Sequence, residues 1–466
     1  KDFSTAEMRL VHLDLKGAAP KVSYLEQVFP LLSKLGANGI LVEYEDMFPF
    51  KGELEILKSP YAYSRGEARL AIRLAPVASQ KQAGSRCRQG RCRFILKHDK
   101  YQHLREVERF PNSLNPHAPD TLPLLKSLLS QVIDKHRHAS WIHIGADEIV
   151  HLGEGLDSKT WLSRSGGDVG KMYLNHIQEV VNFIASQYQG LQVLLWDDML
   201  RKISVGAIRE SGIAKQAAPV LWFYAPDLDT EQIETLVSKY AESGFRTVWF
   251  ASAFKGTTGP AQAWTPLSYH LKNHLSWLKV MQAMSKHPAV RLQGIALTGW
   301  QRLSPWASAC PVLSPPLVPV LWPPPPPGGF TEATKKKILD TLGFRNIHLE
   351  ESTCEGNGAF PGSEIYRMVE QINGQLKESV GKVLDEESAI KGWFSQYHRK
   401  HRFGNPRNLE TLGSKVLNLQ AGRNQAFWAL ASRLLGLSFP DTVEEWMEEN
   451  VNPYMDRLRK FVRDYK

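Results

Sequence analysis

The N-terminal two thirds of the chain consist of short apolar runs separated by amphipathic segments. Runs typical of buried strands lie at 9–15, 39–44, 141–146, 192–196, 220–224, 246–251 and 294–298. Apolar residues at spacings of three and four predict helices at 24–35, 172–187, 231–243 and 271–285. Such alternation indicates parallel strands with right-handed crossovers, in a closed eight-stranded barrel or an open doubly wound sheet.

The residues at the strand ends favour the closed barrel. Polar or aromatic side chains stand at the carboxyl ends of most predicted strands, where barrel enzymes build their active sites: Asp14, Glu45, Asp147, Trp196, Tyr224 and Trp300. An open dinucleotide-binding sheet would carry a glycine-rich phosphate loop after its first strand, and residues 14–17 do not form one. We predict an α/β fold with a catalytic (β/α)8 TIM-type barrel over residues 8–302.

The remaining third of the chain has a helical pattern. Segments 365–376, 420–435 and 443–462 carry apolar residues at helical spacing, and Pro453 should kink or interrupt the last of them. Residues 331–466 are therefore predicted to form a helical C-terminal domain that docks on the barrel.

Two segments break the pattern. Residues 74–94, where the third barrel strand belongs, show no strand pattern. Residues 303–330 are rich in proline, with five consecutive prolines at 323–327, a composition that favours polyproline or coil. We interpret both as products of alternative splicing or an imperfect gene model rather than as selected insertions. A barrel without one strand would expose two sheet edges, so we expect a weakened fold and weak activity.

The strongest chemical feature is the pair Asp147–Glu148, which ends the apolar run at 141–146. Carboxylates are costly to bury, so both should lie at the mouth of the strand, where a fraying backbone lets both face one cavity. Two carboxyls in one cavity tend to hold different pKa values, so one can remain protonated as an acid. The alternative is that this pair caps a helix.

The pair belongs to the block His143-Ile144-Gly145-Ala146-Asp147-Glu148. This block resembles the catalytic motif of glycoside hydrolase family 20, the β-N-acetylhexosaminidases. Supporting blocks follow in the expected order at 9–17, 41–46, 195–199 and 220–224. The resemblance covers most of 8–73 and 95–302 and, more loosely, 328–466.

The resemblance implies an exo-acting β-N-acetylhexosaminidase for terminal β-linked GalNAc or GlcNAc. In its retaining, substrate-assisted mechanism the acetamido oxygen of the sugar is the nucleophile. Glu148 would then be the general acid and base, and Asp147 would orient the acetamido group through its N–H. A glycosidase with a covalent carboxylate nucleophile is a weaker alternative, because it requires a second acid across the bond.

Further pocket residues follow from resemblance and chemistry together. The expected substrate-binding side chains are Asp14, Lys16, Glu45, His143, Trp196, Asp198, Trp222, Tyr224 and Trp300. The three tryptophans would wall the pocket, since aromatic rings stack on the C–H faces of sugars, although each alone is also a normal core residue. Tyr224 would donate its hydroxyl to the acetamido carbonyl. Lys16 stands where the family often has an arginine and lacks its bidentate fork. His143 is also compatible with a core position beneath the acids.

Composition limits the other classes of function. The net charge of +9 comes from widely spread basic residues without interleaved aromatics, so we expect no nucleic-acid partner. No apolar run is long enough to span a bilayer, and the chain shows no signal-peptide pattern. Four cysteines (Cys87, Cys92, Cys310 and Cys354) indicate a reducing compartment, the cytoplasm or nucleus, and do not make a zinc site.

We therefore expect no metal and no organic cofactor, a glycan or glycoconjugate as the partner, and an oligomeric state that the sequence leaves open. The alternative function is that of a catalytically inactive barrel that binds glycans or a protein, because the two aberrant segments fall where sugar-holding residues are expected.

Overall fold

A computed structural model describes residues 6–64, 66–67, 77–79, 93–260, 262, 264–301 and 331–465. Its strands are β1 (Met8–Asp14), β2 (Gly39–Glu43), β3 (Val77–Ser79), β4 (Arg105–Val107), β5 (Phe110–Leu114), β6 (Trp141–His143), β7 (Gln192–Trp196), β8 (Ala217–Trp222), β9 (Thr247–Lys255), β10 (Arg291–Gly299), β11 (Asn346–His348) and β12 (Thr353–Glu355). Eight parallel strands close a barrel in the order β1-β2-β3-β6-β7-β8-β9-β10 and back to β1. The predicted (β/α)8 fold is confirmed.

The third barrel strand is present, so the expectation of a missing strand within 74–94 is wrong. Val77 pairs with Leu41 of β2 on one side and with Trp141 of β6 on the other. Strands β2 and β6 would otherwise leave unpaired backbone N–H and C=O groups at two edges, so three extended residues suffice to close the ladder. Tertiary pairing here overrides a weak local pattern. Residues 80–92 and 302–330, which hold most of the two aberrant segments, lie outside the described residues.

The barrel interior is built from alternate residues of the strands, because successive side chains point to opposite faces. Its apolar layer contains Leu10, Leu41, Leu194, Val220, Ala251 and Ala296. Two positions further along three of these strands, the inward residues are His12, Glu43 and Trp196. The interior therefore changes from apolar to polar and aromatic toward the carboxyl ends of the strands.

Helices cover the outside of the barrel and form the C-terminal third. They are α1 (Val22–Lys34), α2 (Arg93–Leu96), α3 (Thr121–Lys135), α4 (Leu156–Arg164), α5 (Val169–Gln187), α6 (Val205–Ser211), α7 (Thr230–Glu242), α8 (Leu267–Ala283), α9 (Glu332–Leu342), α10 (Ser363–Gln371), α11 (Lys377–Gly381), α12 (Ser388–Trp393), α13 (Gln396–His401), α14 (Pro406–Leu437), α15 (Pro440–Asn450) and α16 (Asn452–Tyr465). Pro453 lies in the first turn of α16, after the break that separates it from α15, as predicted from its missing N–H.

The C-terminal helices have a hydrophobic core of their own, which includes Val369, Val416, Leu430 and Leu458. By contrast, Ile338 of α9 packs in the main core between the barrel and its helices. The end of α14 docks on the loop after β1, where Lys21 N–H donates to the Leu437 carbonyl at 2.6 Å. No helix among the described residues combines the length and apolar composition that a bilayer crossing requires.

Candidate active site

The turn that carries Asp147 and Glu148 follows β6 at the carboxyl end of the barrel. Its backbone is left-handed at Gly145 (φ 77°), Ala146 (φ 65°) and Glu148 (φ 43°). Glycine adopts this conformation readily, whereas a residue with a Cβ does so at a cost in free energy. Ala146 and Glu148 are therefore strained, and strained residues at a pair of carboxyls are typical of a functional turn that surrounding contacts hold in place.

Three hydrogen bonds from other elements hold this turn. The N–H of Trp196 on β7 donates to the Gly145 carbonyl at 2.9 Å. The buried Tyr173 hydroxyl of α5 donates to the Ala146 carbonyl at 2.9 Å. The N–H of Glu148 donates to Oδ2 of Asp198 at 2.7 Å. These contacts offset the cost of the left-handed residues and hold the backbone from which both carboxyl side chains project.

The two carboxyls differ in their surroundings. Asp147 is only 5% exposed, whereas Glu148 is partly open to solvent. The next helix, α4, begins at Leu156 after the cap residue Gly155, so neither acid caps a helix. Glu148 is therefore accessible to a molecule at the mouth of the barrel, whereas Asp147 is shielded from solvent.

Asp198 joins the ends of three barrel strands. Its Oδ2 accepts from Glu148 N–H, and its Oδ1 accepts from the indole Nε1–H of Trp222 at 3.1 Å. Burial raises the pKa of Asp198 to about 7, and the charge of Asp147 adds to the rise. The hydrogen bonds from Glu148 and Trp222 favour the ionised form and so oppose this rise in pKa. Both oxygens of Asp198, which was predicted to contact the sugar, already accept one hydrogen bond from the protein.

The neighbouring Asp197 anchors this strand end, a role that the sequence did not reveal. Arg201 donates to both oxygens of Asp197, at 2.8 and 2.6 Å, and to the Trp222 carbonyl at 3.0 Å. The Tyr240 hydroxyl adds a third donor to Asp197 at 2.8 Å. A bidentate guanidinium–carboxylate pair is both strong and directional, so it defines where Asp198 and Trp222 lie.

Aromatic rings line the mouth as two groups. Trp196 lies 4.4 Å from His143 and 6.0 Å from Trp300, measured between ring centroids. Trp196 and Trp300 are buried. On the side of Asp198, Trp222 and Tyr224 lie 5.2 Å apart and remain partly exposed. The structure thus brings all three predicted tryptophans to the carboxyl end of the barrel.

His143 is buried beneath the acids, where its Nδ1 accepts from the Gly145 N–H at 3.0 Å. This bond ties the histidine to the first left-handed residue of the turn. The burial of His143 agrees with the core position considered for it, and its ring lies at 49° to that of Trp196.

The opposite side of the mouth holds Asp14, Lys16 and Glu45, all buried. Lys16 Nζ donates to Asp14 Oδ2 at 2.9 Å and lies 5.7 Å from the ring centroid of Trp300. Burial raises the pKa of Asp14, but the charge and hydrogen bond of Lys16 together with the charge of His12 more than offset this, so the pKa of Asp14 is lowered. Burial raises the pKa of Glu45 to about 8, with Glu43 acting in the same direction and Lys16 against it.

Four further residues of this side were not predicted. His12 and Glu43 form a buried pair at 3.0 Å, and the edge of His12 contacts Trp300 at 4.6 Å. Lys255, at the end of β9, donates to the side-chain carbonyl of Gln301, and the backbone N–H of Gln301 donates to Asp14 Oδ2 at 3.0 Å. Period-two alternation gave a signal for both, because His12 shares the inward face of β1 with Asp14, and Glu43 shares that of β2 with Leu41.

The mouth of the barrel contains the partly exposed carboxyl of Glu148 beside the buried one of Asp147. It also contains aromatic surfaces and, on the opposite side, hydrogen-bonding groups. This set suits a polar ring-shaped molecule with apolar C–H faces, and it provides one group that can donate and accept a proton. Within the described part of the chain, no three His, Cys, Asp or Glu side chains are grouped to hold a metal ion.

One curated relative matches nearly the whole chain, and another matches about three quarters of it. Hexosaminidase D from Homo sapiens is 41% identical over 465 residues, which is 98% of this chain and 94% of the human protein. Hexosaminidase D from Bos taurus is 43% identical over 342 residues, which is 73% of this chain and 98% of the bovine protein. No family model matches the chain.

Solved structures share the fold at low identity. A β-N-acetylhexosaminidase from Bacteroides fragilis aligns with a TM-score of 0.54 and 15% identity, over 74% of each chain. A chitobiase from Flavobacterium johnsoniae aligns with a TM-score of 0.50 and 12% identity, over 98% of this chain and 70% of that one. Together with the curated relatives, these matches confirm the resemblance to the β-N-acetylhexosaminidases.

Proposed function

Because this chain belongs to the hexosaminidase D family of glycoside hydrolases, we propose that it is an exo-β-N-acetylhexosaminidase that releases terminal GalNAc or GlcNAc. Its partners are glycans or glycoconjugates that end in a β-linked N-acetylhexosamine. The observation that carries this proposal is the left-handed turn of Asp147 and Glu148 at the carboxyl end of the barrel, held by Tyr173, Trp196 and Asp198.

The chemistry we propose is substrate-assisted. The acetamido carbonyl oxygen attacks the anomeric carbon and forms an oxazolinium-type ring, while the glycosidic C–O bond breaks. Asp147, buried and adjacent to the acid, accepts a hydrogen bond from the acetamido N–H and stabilises the positive charge that develops there. Water then opens the ring at the anomeric carbon, so the β configuration is retained.

Glu148 moves the protons in this scheme. It donates a proton to the departing glycosidic oxygen in the first step and takes one from the attacking water in the second. Its partial exposure suits this role, because the leaving group departs and water enters on the open side of the mouth. The sugar and the two carboxyls supply nucleophile, acid and base, so we expect no metal or organic cofactor.

We assign the remaining residues as follows. The glycone packs against Trp196, Trp222 and Trp300, with His143 beneath, and Tyr224 donates to the acetamido carbonyl. Asp14, Lys16 and Glu45 face the sugar hydroxyls from the opposite side. Asp198 acts on the sugar indirectly, through the positions of Glu148 and Trp222.

The barrel over 8–302 carries the reaction in this proposal, and the helical region over 331–466 supports it by docking on the loop after β1. We place the protein in the cytoplasm or nucleus, because four cysteines in 466 residues are too few for a disulfide scaffold. Subcellular fractionation tests this placement.

The deciding experiment is turnover of chromogenic β-GalNAc and β-GlcNAc substrates by the purified chain, with the α-linked anomers and the Glu148→Gln variant as controls. Hydrolysis of the β-linked substrates alone, with the β-anomer of the free sugar released first, supports the proposal. Tight binding of N-acetylhexosamines without turnover would instead favour the inactive, glycan-binding barrel. An α-anomeric first product would refute the retaining mechanism.

A further inference from the structure

The hairpin β4–β5 clamps the loop that follows Glu148. Glu106 of β4 is buried, and its Oε1 accepts from the N–H groups of Gly153 and Gly155 at 3.0 and 3.1 Å. Its Oε2 accepts from the Ser158 hydroxyl at 3.0 Å. One carboxylate thus accepts from two N–H groups of this loop and from the first turn of α4, which fixes the course of the chain up to ten residues beyond Glu148.

Two further contacts tighten this clamp. Ser113 of β5 donates to the Val150 carbonyl at 2.7 Å. A Cβ on Gly155 would come within 2.4 Å of the Glu106 carbonyl, so only glycine allows the loop to approach the hairpin this closely. The loop after Glu148 and the hairpin therefore form one rigid wall beside the mouth.

An aromatic stack stands on this wall three residues beyond Glu148. The rings of Phe110 and His151 are parallel within 3° and their centroids lie 4.5 Å apart. His151 is held in a left-handed conformation (φ 61°) and its Nδ1 lies 2.8 Å from Glu154 Oε2. Both rings remain partly exposed, and the Arg109 guanidinium lies 5.6 Å from the Phe110 centroid.

We propose that this wall, with Phe110 and His151 as its recognition surface, is the binding site for the leaving group, and that it selects a second sugar ring. The inference rests on the proposed function. If Glu148 protonates the glycosidic oxygen, that oxygen lies within hydrogen-bond distance of its carboxyl. Three residues span at most about 11 Å, so His151 lies within reach of a pyranose attached to that oxygen.

The occupant is a sugar ring for a chemical reason. The buried tryptophans enclose the glycone at the barrel mouth, so the part of the substrate that extends past Glu148 belongs to the leaving group. A pyranose has an apolar C–H face that packs on an exposed aromatic stack and a polar rim that remains hydrated. A rigid wall lowers the entropy lost when such a ring binds.

The test compares a methyl β-GalNAc glycoside with a disaccharide in which β-GalNAc is linked to a pyranose. Neither leaving group is activated, so both need protonation by Glu148, and comparison of each variant with the parent on the same substrate cancels their intrinsic difference in reactivity. The remaining difference is what each leaving group places on the wall. For Phe110→Ala and His151→Ala we expect kcat/KM for the disaccharide to fall about 3- to 10-fold more than for the methyl glycoside. Inhibition by free GalNAc, which reports the glycone site, should change less than twofold.

Two controls separate recognition from folding. Tyr397→Ala removes an exposed aromatic ring of α13 and should leave kcat/KM unchanged for both substrates. Glu106→Gln keeps the shape of the clamp, whereas Glu106→Ala removes three acceptor contacts, so only the second should reproduce the loss of disaccharide preference. Equal losses for both substrates in Phe110→Ala, or no loss for either, would overturn the leaving-group site. No turnover of either substrate by the unmodified chain would instead overturn the proposed function, and the site with it.

Discussion

The backbone N–H of Glu148 donates to the side chain of Asp198 at 2.7 Å, which ties the proposed acid to the end of the next barrel strand. Asp198 also accepts from Trp222, so one carboxyl positions both the acid and a pocket wall. We expect Asp198→Ala to lower kcat about 10- to 100-fold with a smaller change in KM, because the acid is misplaced while most sugar contacts persist. Asp198→Asn, which retains one acceptor, should recover part of the rate. If Asp198→Ala were as active as the parent, Asp198 would not have a positioning role.

Glu148→Gln tests proton donation directly. The variant cannot protonate a leaving group, so turnover of natural glycosides should fall at least about 100-fold, whereas activated aryl glycosides should lose less. Steady-state kinetics on a series of aryl leaving groups checks this, since rates of the variant should depend more steeply on leaving-group pKa. The same loss for good and poor leaving groups would rule out the acid role.

Asp147→Asn should behave differently, because orientation of the acetamido group precedes departure of any leaving group. We expect activated aryl substrates to be slowed about 10- to 1000-fold, without the recovery that good leaving groups show in Glu148→Gln. Melting temperature of the variant serves as the control for folding. A rate for activated substrates that matches the parent would exclude this role.

Arg201 should matter for stability more than any exposed cation nearby. Its removal leaves the fully buried Asp197 carboxylate without its bidentate partner, so Arg201→Met should cost about 3 kcal/mol in the free energy of unfolding. Asp197→Asn combined with Arg201→Met should cost less than Arg201→Met alone, since no unpaired charge remains. Lys202→Met, at an exposed position of the same turn, is the matched control. If the loss in unfolding free energy of the double variant equalled the sum of the losses of Asp197→Asn and Arg201→Met, the two side chains would not act as a buried ion pair.

The pH dependence of stability has a predicted sign. The pKa values of Asp198 and Glu45 are raised to about 7 and about 8, so the folded state binds these protons more tightly than the unfolded state. Their contribution to stability is complete below about pH 4 and is lost as the pH rises through 7 and 8. The melting temperature of the double variant Asp198→Asn/Glu45→Gln, measured relative to that of the parent, should therefore be at least about 2 °C higher at pH 8 than at pH 5. Glu231→Gln, at an exposed position of α7, should show no such gain. A relative loss at pH 8 would reverse the sign and refute the assignment.

Local pattern was sufficient for most of the barrel. Strand and helix periodicity depends on neighbours a few residues apart, so runs such as 192–196 were bounded correctly from the sequence. The Asp147–Glu148 pair was also recognisable, because two carboxyls directly after a buried run have few inexpensive positions other than a strand mouth. The interruption at Pro453 followed from its missing N–H alone.

Tertiary structure decided the rest, because the partners lie far apart in the chain. Strand β3 exists through pairing with β2 and β6, which no pattern within 74–94 announces. The left-handed Glu148 is held by Asp198, fifty residues later, and Lys255 meets Gln301 only when β9 and β10 are adjacent. Sequence therefore determined which residues stand at strand ends, since that depends on local hydrophobic periodicity. Barrel closure determined which of those side chains meet, since hydrogen bonds and buried charges depend on distances that only the folded chain defines.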